Sequence, residues 1–250
     1  MFFSISVSCY YVDNMLIDTG PVASHDEIVR YFKDLPVDKL VNTHSHEDHV
    51  GNNFWFIDHK NCGPALAHKK AIPQITRAEG KYVKMSDYRV YVWGVPPSSA
   101  AVDIGTEVET EHYKFQVIET PGHCDDHICL WEADQGWIFT GDLFLSEKAT
   151  VFLNSGDYKE LVNSLKKIAK LDFENLFCAN GRIIEKDARK AVRTKIEFLE
   201  QTEDQVRYLY DKGWRPEDIR DRLLGRDERF ALAGGEYCKL NLVNSILAAR

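Results

Sequence analysis

The stretch THSHEDHV, residues 43–50, places three histidines and two carboxylates in eight positions. Packing alone asks for nothing of the kind, whereas neutral imidazole and ionised carboxylate are the ordinary nitrogen and oxygen ligands of a divalent transition ion. The stretch follows DKLVNT (38–43), a short apolar run that reads as a strand. His44 and His46 are two apart, so an extended or turning backbone puts both side chains on one side. Asp48 and His49 lie just beyond, where the chain turns into a helix predicted over about residues 50–60. One loop thus offers two ligands to one point and two to a neighbouring point; a solvated polar loop is the alternative.

Outward from this stretch the chain alternates between strand and helix patterns. Residues 5–18 read as two strands about Asp13-Asn14, ending in LIDTG. Residues 24–35 read as a helix, with Ser24 and Glu27 as a capping box and Pro36 as its stop. ALAH (65–68) reads as a strand, and residues 71–95 carry no clear pattern. Residues 102–123 read as strands broken by Gly105 and by a turn near Glu111, and HICLWEA with GWIFTGD as a hairpin about Gln135-Gly136. Residues 157–170 form an amphipathic helix with Tyr158, Leu161, Leu165 and Ile168 on one face. ENLFCANG (174–181) reads as a last strand and turn. From Glu185 the pattern is helical and charged, with a second helix starting near Arg215-Pro216, where proline suits the first turn. Such alternation places the chain in the α/β or α+β class. We expect one domain over residues 1–190 and a helical extension over 191–250 packed on it.

Two further segments join the ligand stretch. TPGHCDDH (120–127) sets His123, and TGDLF (140–144) sets Asp142, each at the end of an apolar strand. Strand ends are where α/β folds gather functional groups.

In this order, LIDTG, THSHEDHVG, TPGH and TGDLF resemble the metallo-β-lactamase superfamily, the hydrolase group that includes glyoxalase II. The resemblance runs to about residue 181. It implies a four-layer αββα sandwich with a metal centre at one edge of the two sheets. By similarity, His44, His46 and His123 bind a first ion, Asp48 and His49 a second, and Asp142 bridges them. The family pattern closes with a histidine before a glycine; here that position is Asn180, in CANG. An amide oxygen is a poorer ligand than imidazole, so we expect a filled first site and a weak or empty second one, with Asn180 contacting the second ion or the substrate. If the turn aligns differently, His59, His68, His112 or His127 completes the second site; in the family the position of His127 is usually structural. The ion is zinc, with iron or manganese as alternatives.

A bound ion lowers the pKa of its water from about 15.7 towards 7 and polarises a carbonyl or phosphoryl oxygen. The expected activity is therefore a metal-dependent hydrolase using that hydroxide on a small ester, thioester, lactone or phosphodiester, with Asp48 as general base or orienting group. Two alternatives differ in class: a mono-iron oxidoreductase of the persulfide dioxygenase kind, and a degenerate relative that binds metal without turnover. Asp18 of LIDTG either hydrogen-bonds the ligand loop or caps a turn. Cys124 is either a ligand or a small side chain pointing away. Phe144 and Leu145 are expected on the pocket wall; Tyr88, Tyr91 and Trp93 either line a substrate groove or, as the favoured reading, join the core.

The bulk properties bound these readings. Thirty-one Lys and Arg against 39 Asp and Glu give a formal charge of −8, which argues against a nucleic-acid partner across the surface. No run approaches 18 apolar residues, so no membrane span is expected, and MFFSISVSCYYV reads as a strand rather than a signal peptide. Six cysteines without a C-x-x-C pair exclude a zinc ribbon and suggest a reducing, cytoplasmic setting. The expected partner is a small-molecule substrate. Residues 204–225 either cover the site entrance or form a homodimer.

Overall fold

The computed structural model describes residues 6–77, 80–227 and 233–249. β1 (Tyr10–Val12) and β2 (Met15–Ile17) form an antiparallel hairpin on Asp13 and Asn14, whose φ angles are 49° and 61°. Two consecutive positive φ values make a turn whose twist matches paired strands, and Asp and Asn tolerate that region better than bulkier residues. The chain passes through a 3-10 turn at Val22–Ser24 into α1 (His25–Phe32). The capping box expected at Ser24 does not form. The 3-10 turn bonds the Ser24 N–H to the Pro21 carbonyl at 3.0 Å, and the Ser24 side chain caps nothing.

β3 (Lys39–Val41), β4 (Ala65–Ala67) and β5 (Ala101–Asp103) continue the first sheet in parallel, in the order β1-β2-β3-β4-β5. β6 (Glu107–Glu109), β7 (Lys114–Glu119), β8 (Ile128–Glu132), β9 (Trp137–Phe139), β11 (Asn175–Phe177) and β12 (Ile183–Ile184) make the second sheet, in the order β12-β11-β9-β8-β7-β6. β10 (Phe152–Leu153) and β13 (Tyr237–Cys238) pair separately, so ENLFCANG is not the last strand. Two-residue ladders are too short for any periodicity to announce them.

The helix expected over residues 50–60 is two helices, α2 (Glu47–Val50) and α3 (Asn53–His59), and the first begins inside the ligand stretch. They separate at Gly51-Asn52. A Cβ on Gly51 would run into the backbone of Gly20, Pro21 and Val22, and the Asn52 side chain donates to the Thr19 and Pro21 carbonyls at 2.8 and 3.0 Å. The patternless stretch holds α4 (Ile72–Ile75) and α5 (Asp87–Trp93). α6 (Tyr158–Ile168) is capped by Asp157, which accepts the Glu160 N–H at 2.9 Å. α7 (Ala188–Asp211), α8 (Pro216–Leu223) and α9 (Lys239–Ala248) form the C-terminal part.

Period-two alternation in the strands builds the layers. Leu16 and Leu40 face outward onto Phe32 of α1 and Trp55 and Phe56 of α3. Their neighbours Met15, Ile17 and Val41 face inward and pack on Phe115, Ile128, Leu130 and Phe139 of the second sheet. On that sheet's far face, Cys129, Ile138 and Leu176 meet Leu161, Leu165 and Ile168 of α6 and Val192, Ile196 and Leu199 of α7. The result is the αββα sandwich. Ile219, Leu242, Val243 and Ile246 extend the same apolar cluster into α8 and α9, and the boundary drawn at 190/191 falls inside α7.

Candidate metal centre

The ends of three strands meet at one place. His44 and His46 lie on the loop after β3, Asp48 and His49 on α2, His123 in the turn after β7 and Asp142 in the turn after β9. His46 Nδ1 lies 3.0 Å from His44 Nε2 and 3.0 Å from His123 Nε2. Around an ion with metal–nitrogen bonds of about 2.0–2.1 Å, tetrahedral ligands sit roughly 3.3–3.4 Å apart, so these nitrogens are spaced almost as ligands of one ion. Burial, reinforced by the neighbouring imidazoles, pushes His44 and His46 well below the ordinary histidine range. Burial pushes His123 down to about 3. All three are neutral at pH 7, the form that binds metal.

Asp142 divides its carboxylate between two directions. Its Oδ2 lies 3.3 Å from His123 Nε2 and its Oδ1 lies 3.6 Å from His49 Nε2. Asp48 Oδ2 approaches the same His49 nitrogen at 3.7 Å. That nitrogen is buried and has no hydrogen-bond partner, although buried polar groups are almost always satisfied. Burial disfavours charge on His49, yet the carboxylates of Asp18, Asp48 and Asp142 outweigh it and raise the imidazole to about 10. Burial likewise raises Asp48 and Asp142 above the usual carboxylate range. The cluster therefore draws positive charge to one point. An orphaned nitrogen, three neutral imidazoles and a divided carboxylate fit a divalent ion; a second set of ligand atoms within 4.8 Å of one another comes from His44, His49 and Asp142, and Asp48 lies outside it, 3.7 Å from His49 Nε2.

Other residues hold this array in place. Asp18 accepts from the Thr43 N–H, the Thr43 hydroxyl and His49 Nδ1, each at 2.8 Å, so it orients the ligand loop rather than capping a turn. The buried amides of Asn42 and Asn53 bond each other at 2.7 and 3.2 Å, and Asn42 reaches the His49 carbonyl at 3.3 Å. His127 Nε2 accepts the Asp142 N–H at 3.1 Å, which fixes its Nδ1–H towards Thr120 Oγ1 at 2.8 Å. It is a positioning residue. The other candidate substitutes lie elsewhere: His59 on the Trp55 carbonyl, His68 beside Glu119, and His112 against Asp13.

Asn180 lines the cavity beside the cluster, but its amide nitrogen donates to the Leu145 carbonyl at 3.0 Å and its oxygen accepts the Arg182 N–H at 3.2 Å. Cys124 Sγ falls in one group of ligand atoms with His44, His46 and His123, all within 4.8 Å of one another. It donates to Asp126 Oδ1 at 2.8 Å, and burial and that carboxylate raise it well above the ordinary thiol range.

The cavity measures about 160 Å³. Tyr88 and Trp93 line it, contrary to the expectation that they join the core: α5 has no buried residue and lies over the cavity, while Tyr91 on its outer face is 90% exposed. Leu145 is on the wall as expected, whereas Phe144 is fully buried. Glu236 and Tyr237, from the C-terminal part, complete the wall. Arg89 of α5 forms a bidentate pair with buried Glu47, through Nε to Oε1 and through Nη2 to Oε2 at 2.6 Å, and lies 3.6 Å from Glu236. Reading the sequence missed this bridge, because its members are far apart in the chain. It also missed Lys195, although a lysine among Ala188, Ala191, Val192, Ile196 and Leu199 interrupts the apolar face of α7.

A family model described as the metallo-beta-lactamase superfamily matches residues 5–179. The chain is 30% identical over 182 residues to the Beta-lactamase-like protein 2 homolog of Caenorhabditis elegans, covering 70% of this chain and 55% of that one. It is 28% identical over 152 residues to the atrochrysone carboxyl ACP thioesterase of Aspergillus fumigatus (61% and 44%) and 27% identical over 160 residues to the hydroxyacylglutathione hydrolase of Hydrogenovibrio crunogenus (63% and 49%). The chain thus spans about half the length of these relatives. Among solved structures, a metallo-beta-lactamase family protein of Thermus thermophilus superposes with a TM-score of 0.69 at 18% identity, over 94% of this chain and 84% of that one, which shows the fold.

Proposed function

Since the chain belongs to the metallo-beta-lactamase superfamily, we propose that it is a metal-dependent hydrolase acting on a small ester or thioester. The observation that carries this reading is the divided Asp142 carboxylate, aimed at His123 on one side and at the orphaned His49 Nε2 on the other. A divalent ion held there supplies an ionisable water at neutral pH and a Lewis acid for the acyl oxygen. His44, His46 and His123 would hold it, with Asp142 closing the set, while Asp48, His49 and the second Asp142 oxygen would hold another.

The chain's own residues do the rest. With one ion bound, Asp48 on the cavity wall would be free to take a proton from the attacking water or to orient it. Burial, then Asp142 and Asp48, raise Tyr237, so its phenol stays protonated on the cavity wall. Tyr88, Trp93 and Leu145 exclude water from the acyl chain. The thioesterase and hydroxyacylglutathione hydrolase names of two relatives support an acyl substrate over a phosphodiester. All six cysteines are free, which supports a reducing, cytoplasmic setting. No described helix is long and apolar enough to cross a membrane.

The test is turnover of p-nitrophenyl acetate, an N-acetylcysteamine thioester and bis(p-nitrophenyl) phosphate by protein loaded with zinc, manganese or iron. We expect acyl hydrolysis, lost in Asp142→Asn together with bound metal. Turnover of the phosphodiester alone would overturn the substrate class, and no turnover by metal-loaded protein would make it a non-catalytic relative.

One observation favours a second reading, a mono-iron oxidoreductase. Both Asn180 polar atoms are engaged by Leu145 and Arg182, which leaves the second donor set short. Stoichiometric iron in the protein as purified, with oxygen uptake on a persulfide, would establish it.

A further inference from the structure

We propose that Lys195 is the anion-binding residue of a second chamber behind the metal centre, and that it receives the carboxylate of a short-chain substrate. The chamber measures about 40 Å³. His123, Asp142 and Tyr237 line both it and the larger cavity, so the two adjoin at the metal cluster. Its other walls are apolar, among them Val151, Leu161 and Leu199, and Lys195 is the cation among the residues that line it.

Lys195 is 4% exposed and sits on the core-facing stripe of α7. Among the described residues its ammonium forms no hydrogen bond and no ion pair; its close partner is the Phe144 ring, 5.3 Å from Nζ to the centroid. Cys178, Asp142 and Glu147 act on it from farther away. Burial lowers it to about 8, so it still carries its charge at pH 7. Lysines are almost never fully buried unless paired, because a desolvated charge without a partner is costly. The chamber gives this ammonium an anion-sized space between apolar walls. Water needs roughly 10–15 Å³ of such space per molecule, so the chamber takes a carboxylate with one or two carbons. A single ammonium is a point charge with three donors; it balances one negative charge, so a monoanion is neutralised in this apolar chamber and a dianion is left with an unpaired charge. The apolar walls accept the carbons, and the far end presents the scissile bond to His123 and Asp142. A substrate with a short acyl chain ending in a carboxylate meets all three features.

Treating the anion as a substrate group rests on the hydrolytic reading above; the binding of the anion itself does not. The test therefore begins with metal-free protein, titrated calorimetrically with propionate and with propionamide, its neutral counterpart. We expect propionate to bind at least tenfold more tightly. Lys195→Met should abolish the preference and Lys195→Arg should keep most of it. A preference absent from the wild-type protein, or retained in Lys195→Met, would overturn the assignment. With metal restored, the ratio of kcat/KM for succinyl over butyryl N-acetylcysteamine thioester should fall at least tenfold in Lys195→Met. Propionate preference without hydrolysis of either thioester would refute the hydrolytic reading and leave the anion site standing. Hydrolysis with an unchanged ratio would refute the role of Lys195.

Discussion

Replacing Lys195 with methionine should stabilise the protein at neutral pH, and the gain should disappear in alkali. An exposed lysine titrates at 10.5, whereas burial, only partly offset by Cys178, Asp142 and Glu147, brings Lys195 down to about 8. At about 1.36 kcal/mol per pH unit, the difference of 2.5 corresponds to about 3 kcal/mol held against the folded state at pH 7. The contact with Phe144 returns up to about 2 kcal/mol of this when desolvated. Methionine fills similar space without a charge, so the expected gain is about 1–3 kcal/mol. The sign with pH follows from proton binding. Below pH 8 the ammonium is charged in both states and the penalty is complete. Between about 8 and 10.5 the folded state releases its proton first, the unfolded state binds more protons, and wild-type stability rises with pH. Urea unfolding of both proteins from pH 7 to 10, in buffers free of carboxylate, should show the difference shrinking towards zero. A pH-independent difference, or a less stable Lys195→Met at pH 7, would refute the reasoning.

Other substitutions probe the support of the site. Asp18→Ala strips the acceptor from the Thr43 N–H and from His49 Nδ1; at about 1–3 kcal/mol for each buried donor left unsatisfied, urea unfolding should show a loss of about 2–6 kcal/mol. In the same variant metal affinity, read by competition with a chromophoric chelator, should fall about 10–100-fold. Arg89→Ala leaves buried Glu47 without its bidentate partner and should cost about 3–5 kcal/mol, most of it recovered in the Arg89→Met, Glu47→Leu double variant.

The candidate ligands were legible because they stand in short polar clusters directly after apolar strands, and no packing requirement explains histidine at 44, 46, 49 and 123 together. The strands were legible because one face meets a helix layer and the other meets the second sheet, so Leu16 and Ile17 must alternate. The bridge from Glu47 through Arg89 to Glu236 was not, because an ion pair between distant segments leaves no local pattern. Tyr88 and Trp93 looked like core because an aromatic run on a short helix has the same composition whether it covers a cavity or fills a sheet. Position 195 did carry a readable sign, a charge at a core-facing spacing on α7, but its meaning depends on Asp142 and His123, which only the fold brings near.

The most direct test of the account is a zinc titration of metal-stripped protein, with bound metal counted by mass spectrometry. We predict one tightly held ion per chain, lost in His46→Ala, and a second, weaker one that Asp48→Ala removes while leaving the first. Uptake well below one ion per chain, or a tight site indifferent to His46, would contradict it.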